Sequence, residues 1–304
     1  MSDAVLVTGA SSQLGVFALP RLQAAGFQIL ALSRRAPSSA IEVSEQVTWH
    51  NPGPMLDKSA ASGEPARHLL SCGPLDLAIA LVSRQAGLQR VVAFSTSSIL
   101  TKADSANPAE SGHMAEIREQ ELRLKTLCDD RGIALVLLRP TLIYGCGLDQ
   151  NISTLARFGR RFGFIPLAGD AKGLRQPVHA DDLAAVAVHA LGVDHVTNLE
   201  SVAAGGSTLS YREMTEKIAA ACGAGIRTLS LPPWLLAAAV RAASLSPAFR
   251  SINPEMVHRQ SHDMVFDDTP LRAALSYQPR PFNPTPADFK MPEEAQKLQL
   301  PIDL

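Results

Sequence analysis

The sequence predicts an α/β fold, in which a doubly wound parallel sheet is followed by a smaller C-terminal subdomain. Through the first half of the chain, short apolar runs alternate with helical patterns, which is typical of parallel strands joined by helices. A glycine-containing turn, VTGASSQLG at 7–15, directly follows the first apolar run. After residue 150 the helices are separated by longer loops rich in Gly and Pro. We therefore expect a Rossmann-type core over residues 1–150 and a subdomain mainly over 151–304, with a segment at about 175–200 that returns to the core.

The individual elements follow from the period of the apolar residues. Short continuous runs predict strands at Ala4–Thr8, Phe27–Leu32, Val47–Trp49, His68–Ser71, Arg90–Phe94 and Ala134–Leu138. Helical spacing predicts helices at Val16–Ala25, Leu75–Ala86, Met114–Asp130, Asp181–Leu191, Tyr211–Cys222 and Trp234–Ser244. Ser210 and Glu213 predict a capping box. The breaker-rich NPGP at 51–54 predicts a loop, and the proline-rich segment from Pro279 predicts an irregular tail.

Composition and charge exclude several classes of protein. The chain has 304 residues, of which 28 are basic and 29 acidic, so the molecule as a whole has no field that attracts nucleic acid or an anionic membrane. Its four cysteines are widely spaced and form no C-x-x-C pair, so we expect no disulfide framework and no metal site. No apolar run is long enough to predict a membrane span. We expect a cytoplasmic protein.

The turn after the first predicted strand has the features of a dinucleotide-binding turn. A helix N-terminus offers free backbone N–H groups and a positive dipole end to a pyrophosphate. Gly9 allows the sharp turn, and Gly15 allows the helix and the strand to pack closely. Ser12 and Gln13 stand where a middle glycine is usual, so their side chains must swing aside or donate hydrogen bonds, as Ser11 is also suited to do. We assign to the cofactor site Gly9, Ser11, Ser12, Gln13, Leu14 and Gly15.

The end of the second predicted strand indicates which dinucleotide this turn binds. NAD-selective sites place an acidic residue there to accept from the ribose 2′-hydroxyl. Here the strand ends in Ser33, Arg34 and Arg35, and two guanidiniums suit a 2′-phosphate. A solvated basic loop is the alternative. The sequence favours NADP (NADPH) over NAD.

Four later segments carry further motifs in order along the chain. They are FSTSS at 94–98, LRPTLIYGCG at 138–147, RQPVHADDLAAV at 175–186 and FDDTPLRAALSYQPRPF at 266–282. Together with TGASSQLG, they resemble the extended branch of the short-chain dehydrogenase/reductase superfamily, the NAD-dependent epimerase/dehydratase family. The resemblance covers about residues 4–285. It implies a Rossmann fold, a nicotinamide dinucleotide and a small-molecule substrate, with a nucleotide sugar as the candidate.

The resemblance also assigns site residues. Ser97 in FSTSS corresponds to the active-site serine, which orients a carbonyl or hydroxyl group. The candidate substrate contacts are Tyr144, which we expect to pack behind the nicotinamide, Arg175, whose family counterpart contacts substrate phosphates or sugar, and His179. Residues at the ends of the neighbouring strands complete the predicted cofactor site: Ser33, Ser71, Cys72, Gly73, Ser95 and Pro140.

The chain departs from the family at the residue that donates the proton. Family members carry a tyrosine followed four residues later by a lysine, which depresses the tyrosine pKa. In this chain each tyrosine is followed four residues later by another residue type: Tyr144 by Leu148, Tyr211 by Thr215 and Tyr277 by Pro281. Aligning the helix on Glu121 puts His113 at the tyrosine position and Ile117 at the lysine position. His113 is the candidate proton donor, because imidazole titrates near neutral pH, and a solvated histidine is the alternative.

Two functions therefore remain open. One is an NADP-dependent oxidoreductase or epimerase/dehydratase that acts on a nucleotide sugar or a related carbonyl or hydroxyl compound. The other is a catalytically inactive NADP-binding sensor or assembly factor. The serine segment favours the enzyme, and the missing tyrosine–lysine pair favours the sensor. A monomer and a homodimer both remain open, and WLLAAAVRAASL at 234–245 is either a packed subdomain helix or an interfacial membrane helix.

Overall fold

A large sheet forms the centre of the computed structural model, which describes residues 3–36, 40–56, 66–102, 107–243 and 255–300. The strands are β1 Ala4–Thr8, β2 Gln28–Leu32, β3 Ile41–Ser44, β4 Val47–His50, β5 His68–Ser71, β6 Arg90–Phe94, β7 Ala134–Pro140, β8 Ile143–Tyr144, β9 Phe164–Ala168, β10 Leu174–Arg175, β11 Val178–His179, β12 Asn198–Ala203, β13 Leu209–Ser210 and β14 Arg227–Leu231. The helices are α1 Gln13–Ala24, α2 Pro52–Leu56, α3 Leu75–Arg84, α4 Ser98–Thr101, α5 Pro108–Asp130, α6 Ile152–Phe162, α7 Ala180–Leu191, α8 Tyr211–Cys222, α9 Pro233–Ala243, α10 Glu255–Arg259, α11 Thr269–Leu275 and α12 Glu293–Gln296, with a 3₁₀ turn at Pro286–Phe289.

The strand order confirms the predicted doubly wound fold. The described residues form an eight-stranded sheet in the order β12-β7-β6-β5-β1-β2-β4-β3. All neighbours are parallel except β3 and β4, which form an antiparallel edge pair. The order reverses at β1, which lies between β2 and β5. In such sheets, ligands bind outside the carboxyl ends of the strands at the point of reversal.

Burial on both faces explains why the strands are continuous apolar runs. Val5 and Val7 of β1 point into a cluster that includes residues of α1 and α7, whereas Leu6 points into a cluster with α3 and α5. All three side chains are almost completely buried. The sheet is therefore covered by helices on both sides, and its carboxyl edge is the part left for a ligand.

The predictions for two proline-rich segments are wrong. Residues 52–56 form the short helix α2, because proline is tolerated in the first turn of a helix, and the side-chain oxygen of Asn51 accepts from the N–H of Gly53 (3.0 Å). The tail after Pro279 is partly helical, with the 3₁₀ turn and α12. The predicted capping box is present, since the Ser210 hydroxyl and the Glu213 carboxylate each bond the other residue's backbone N–H.

The second half of the chain both extends the core and builds a separate lobe. Strand β12 adds to the main sheet beside β7, and α7 packs on α1. The lobe contains a two-stranded parallel sheet of β9 and β14, packed against α6 and α8. The tail returns to the core, where the indole N–H of Trp49 donates to the carbonyl of Leu298 (2.9 Å).

The described residues contain neither a candidate membrane-spanning helix nor a candidate metal-binding cluster. Among them, no helix is both long and apolar enough to cross a membrane. In the same residues, no group of three or more His, Cys, Asp or Glu side chains is arranged to hold a metal ion.

A glycine-to-alanine pair tests how tightly the first turn is packed. A Cβ on Gly15 would lie 2.4 Å from the carbonyl oxygens of Gly9 and Ala10, whereas a Cβ on Gly112 in α5 meets nothing within 4 Å. We expect Gly15→Ala to lower the free energy of unfolding by roughly 1–3 kcal/mol. Gly112→Ala should raise it by roughly 0.5–1 kcal/mol, because alanine is the better helix former. Urea unfolding of both variants checks this, and equal effects at the two positions would contradict the account.

Candidate active site

The sheet brings the predicted cofactor residues to one edge. Gly9, Ser33, Ser71, Ser95 and Pro140 lie at or just beyond the carboxyl ends of β1, β2, β5, β6 and β7, which are neighbouring parallel strands. Their role in binding a cofactor stays a prediction. They share the carboxyl edge of the sheet, on both sides of the reversal at β1, which is the geometry that the prediction requires.

The turn after β1 has room only for glycine at its first position. Gly9 has φ +61°, and a Cβ there would lie 2.5 Å from the carbonyl carbon and oxygen of Cys72 and 2.6 Å from the nitrogen of Gly73. The backbone of the turn therefore touches the backbone at the end of β5. Burial raises the pKa of the Cys72 thiol to about 12, so this residue contributes its backbone and not a reactive sulfur.

The structure shows how the turn accommodates a serine in place of the middle glycine. The Ser12 hydroxyl donates to the carbonyl of Cys72 (3.0 Å) and accepts from the N–H of Gly15 (3.2 Å). It is thus the N-cap of α1 and is turned toward the protein. The backbone N–H groups of Gln13 and Leu14, in the first turn of α1, have no intrahelical acceptor and can face an anion.

Gln13 connects the turn to a second loop, which the sequence analysis did not foresee. Its side-chain amide donates to the carbonyl of Gly145 (2.8 Å). Gly145, Cys146 and Gly147 follow β8, and all three have positive φ. A Cβ on Gly147 would lie 2.6 Å from the carbonyl oxygen of Phe289 in the tail. The loop after β8 therefore contacts both the first turn and the tail.

The end of β2 presents two arginines to solvent. The backbone N–H of Ser33 donates to the carbonyl of His50 (3.0 Å), and its hydroxyl accepts from the N–H of Arg35 (3.2 Å). These bonds fix the turn, while Arg34 and Arg35 are both exposed. Arg34 and Arg35 follow the end of β2, and their predicted contact with the cofactor ribose stays a prediction. The exposed position of Arg34 and Arg35 is compatible with both interpretations of the sequence, a contact with a 2′-phosphate and a solvated basic loop.

In the serine segment after β6, Ser97 is buried, and Ser95, Thr96 and Ser98 are half-buried. The backbone N–H of Ser95 donates to the carbonyl of Leu138 (2.8 Å), and that of Ser97 donates to the carbonyl of Pro140 (3.1 Å). Ser97 is 7% exposed. The hydroxyl oxygen of Ser95 is buried and has no hydrogen-bond partner among the described residues. A buried hydroxyl without a partner is costly, so a ligand that bonds it would relieve that cost.

The residues that the alignment on Glu121 puts at the tyrosine and lysine positions, His113 and Ile117, both lie in α5. The Glu121 carboxylate is buried and accepts three hydrogen bonds from the Arg139 guanidinium, at 2.7, 3.0 and 3.2 Å. Ile117, at the lysine position, packs against the apolar cluster between α3, α5 and the sheet. The His113 side chain is 63% exposed, and its Nδ1 lies 3.5 Å from Glu116. In the described part of the chain, His113 makes no hydrogen bond to Ser97. The catalytic role of His113 stays a prediction.

Arg175 is buried beneath the surface of the lobe. It is 5% exposed, and its guanidinium donates to the carbonyls of Leu174 (2.7 Å), His262 (2.7 Å) and Arg259. These three carbonyl acceptors hold the side chain between β10 and the end of α10 with the residues that follow it. The structure thus gives Arg175 a scaffolding role, and its predicted contact with substrate stays a prediction.

Tyr144 and His179 pack against each other inside the protein. Their ring centroids are 4.9 Å apart, and Tyr144 also packs against Phe282 at 4.9 Å. Both residues are less than 5% exposed, and burial raises the pKa of the Tyr144 phenol. A phenol with a raised pKa is a poor replacement for the family's activated tyrosine. The predicted contacts of these two rings with substrate and nicotinamide stay predictions.

A histidine–aspartate pair at this point involves a residue that the sequence analysis missed. The backbone N–H of Asp181 donates to Nδ1 of His179 (3.0 Å), so the ring hydrogen lies on Nε2, which donates to Asp288 (3.1 Å). Asp288 also accepts from the backbone N–H of Thr285 (2.6 Å). The signal was present in the sequence, because Thr285 and Asp288 have capping-box spacing within the segment interpreted as irregular.

Comparisons with known proteins find partial sequence matches to two proteins. No protein-family model matches the chain. It is 27% identical over 205 residues to the uncharacterized protein y4nG of Sinorhizobium fredii, a match that covers 64% of this chain and 50% of that protein. It is 24% identical over 133 residues to the UDP-glucose 4-epimerase of Vibrio cholerae, and this match covers 44% of this chain and 40% of the epimerase. The matches thus span about half the length of these relatives or less.

A solved structure matches over nearly the full length of both chains. It is the UDP-glucuronic acid 4-epimerase of Bacillus cereus, in complex with UDP-glucuronic acid and NAD. The TM-score is 0.66 at 13% identity, and the match covers 97% of this chain and 98% of that chain. The chain therefore has the fold of NAD-dependent UDP-sugar 4-epimerases, which confirms the resemblance at the level of the fold.

The His179–Asp288 pair generates a stability prediction. Burial opposes ionisation of Asp288, but its hydrogen bonds from His179 and Thr285 outweigh this and lower the carboxyl pKa. Such a carboxylate stabilises the fold above its unfolded pKa of about 4, and the contribution is lost as pH falls through the lower folded pKa. We expect Asp288→Asn to cost roughly 1–3 kcal/mol at neutral pH.

The pH dependence supplies the check on that prediction. The stability difference between the wild type and Asp288→Asn should shrink as pH falls below about 4, measured by urea unfolding at a series of pH values. Asp170→Asn is the matched control, because Asp170 pairs with Lys172 at the surface and such pairs contribute little. A difference that is constant with pH would show that ionisation of Asp288 has no part in the effect.

Proposed function

We propose that the chain is an NADP-binding member of the extended short-chain dehydrogenase/reductase family. In this proposal it is an oxidoreductase of the epimerase/dehydratase type that acts in the cytoplasm on a nucleotide sugar or a related carbonyl or hydroxyl compound. The observation that carries the proposal is the turn after β1, where a helix N-terminus with two uncommitted N–H groups faces the carboxyl edge of the sheet. The fold shared with an epimerase that binds NAD and a UDP-sugar supports it.

The residues of the carboxyl edge fit a dinucleotide. The N–H groups of Gln13 and Leu14 suit the pyrophosphate, and the partnerless hydroxyl of Ser95 suits a further polar group of the ligand. Arg34 and Arg35 are exposed at the end of β2, a position without any carboxylate to accept from a 2′-hydroxyl. This residue pattern supports NADP over the NAD that the similar epimerase binds.

The chemistry of the site follows from what its own side chains can do. A bound nicotinamide would supply the group that accepts or donates hydride. Ser97, buried at the end of β6, would hold the substrate oxygen and polarise it. Because the chain has no tyrosine at the position of the family's proton donor, His113 or a nearby water would transfer the proton. The exposure of His113 requires that the substrate or a closing segment approach it from solvent.

A second function has its own supporting observation. At the lysine position, Ile117 packs into an apolar cluster, and at the tyrosine position, His113 pairs with Glu116 in solvent. These two surroundings support a helix without a catalytic role. They favour a sensor or assembly factor that binds NADP without turnover.

The cofactor preference gives a direct test of the proposal. We expect NADPH to bind about tenfold to a hundredfold more tightly than NADH, because one charged hydrogen-bonded contact contributes roughly 1.5–3 kcal/mol. Arg34→Ala combined with Arg35→Ala should remove the preference, whereas Arg123→Ala on the exposed side of α5 should leave it unchanged. Calorimetric titration measures both constants. Equal affinities in the wild type would exclude the assignment of the two arginines.

Turnover tests separate the enzyme from the sensor. We expect Ser97→Ala to lower the rate of NADPH oxidation or UDP-sugar epimerisation by about 10²–10⁴-fold. His113→Ala should lower the rate by a similar factor only if the histidine transfers the proton. An inactive wild type that gains activity from His113→Tyr with Ile117→Lys would favour the sensor. An active wild type unaffected by Ser97→Ala would show that the chemistry lies at other residues.

A further inference from the structure

One side of the C-terminal lobe exposes large apolar side chains. Phe162, Leu229, Trp234 and Leu235 are 45%, 45%, 71% and 40% exposed. They make up half of the exposed large hydrophobic side chains in the described part of the chain. We refer to these four residues as the lobe face. Exposed apolar residues mark an interaction site where they form one patch.

Strand pairing places three of the four residues on the same side of the lobe. Residues two apart in a strand share a face, so Leu229 and Leu231 lie on one face of the β9–β14 sheet. Helix α9 packs on that face, because Leu236 belongs to a buried cluster with Ala168 and is contacted by Leu231. Helix α9 covers only the carboxyl end of β14, where Leu231 lies. Leu229 is left uncovered beside it, and Trp234 and Leu235 begin the helix.

The aromatic end of α6 adjoins the other end of the same strands. Phe162 and Phe164 both pack on Phe158, with ring centroids 4.5 and 5.7 Å away. Phe164 is paired in register with Arg227, two residues before Leu229. The apolar surface therefore continues from the start of α9 along β14 to Phe162. The sequence left open whether α9 is a packed or an interfacial helix, and the structure packs one side of it and exposes the other.

The charge of these segments indicates what the lobe face binds. Residues 152–168 and 223–243 contain five arginines and no Lys, Asp or Glu, although the whole chain has a net charge of −1. Arg157 and Arg160 contact the Gly147 carbonyl and the Phe289 ring, so the arginines next to the lobe face are Arg161 and Arg227. Arg161 lies over the Phe162 ring at 5.6 Å, and Arg227 is exposed on β14. A second copy of the chain would bring like charges together across a symmetric contact, which opposes self-association. Trp, Phe and Leu beside arginines are typical of side chains at an anionic membrane surface.

We propose that the lobe face docks on the surface of a bilayer that contains anionic lipid. Trp234 and Leu235 enter the headgroup region, and Arg161 and Arg227 meet lipid phosphates. The contact is peripheral and reversible, because the apolar area is small and the electrostatic attraction falls off within a Debye length.

The two tryptophans make the docking directly measurable. Trp49 is completely buried in the core and Trp234 is the exposed one, so emission changes on adding vesicles report the lobe face. With phosphatidylcholine vesicles that contain about a third phosphatidylglycerol, we expect a blue shift and quenching by brominated lipid. Trp49→Phe should retain both signals, and Trp234→Phe should lose them. Vesicles of pure phosphatidylcholine should give little blue shift and little quenching.

Co-sedimentation with the same vesicles completes the test. Trp234→Ala with Leu235→Ala should weaken binding roughly tenfold, and each of Arg161→Glu and Arg227→Glu by at least about fivefold. Leu122→Ala on α5, which removes a side chain that is 65% exposed elsewhere, is the control and should bind normally. The proposal is overturned by absent binding, by equal binding to neutral vesicles, or by variants that bind like the wild type. Concentration-dependent dimers abolished by Trp234→Ala would instead make the lobe face a contact between copies.

Discussion

The backbone contact between the first turn and the end of β5 is the constraint on which the candidate site depends. Neither Gly9 nor Gly15 has space for a Cβ, since their nearest neighbours are backbone atoms that have no rotamer by which to move away. This contact sets where α1 begins. It thereby directs the two uncommitted N–H groups of the helix to the point where the strand order reverses. The Ser12 hydroxyl supports the same geometry by joining α1 to β5.

A second layer of contacts transmits this geometry to the rest of the chain. Gln13 bonds the loop after β8, and His179 bonds Asp288 in the tail. The tail also covers Tyr144 through Phe282 and closes on Trp49 through Leu298. Several side chains with polar or aromatic chemistry are thus used to hold elements together. The same is true of Arg175, whose guanidinium is occupied by carbonyls. Sequence motifs identify such residues but do not separate a scaffolding role from contact with a ligand.

The sequence was informative where one local pattern decides the structure. Continuous apolar runs located β1 and β5 to the residue, since only a doubly covered strand buries every position. The capping box at Ser210 likewise fixed the start of α8. The pattern was uninformative at α2 and in the tail, where prolines at helix starts resemble loop signals. Long-range pairs such as Gln13 with Gly145 have no local signature, because their partners are 132 residues apart. The Glu121–Arg139 pair ties α5 to β7, and the alignment that puts His113 and Ile117 at the positions of the missing tyrosine and lysine stays a prediction.

The central claim is that a dinucleotide binds across the carboxyl edge with its pyrophosphate at the start of α1. A crystal structure with NADPH tests it most directly. The account predicts pyrophosphate oxygens within about 3 Å of the backbone nitrogens of Gln13 and Leu14, and a hydrogen bond to the Ser95 hydroxyl. It also predicts that the 2′-phosphate contacts Arg34 or Arg35. A dinucleotide found away from this edge, or a first turn that binds no phosphate at saturating NADPH, would contradict the account.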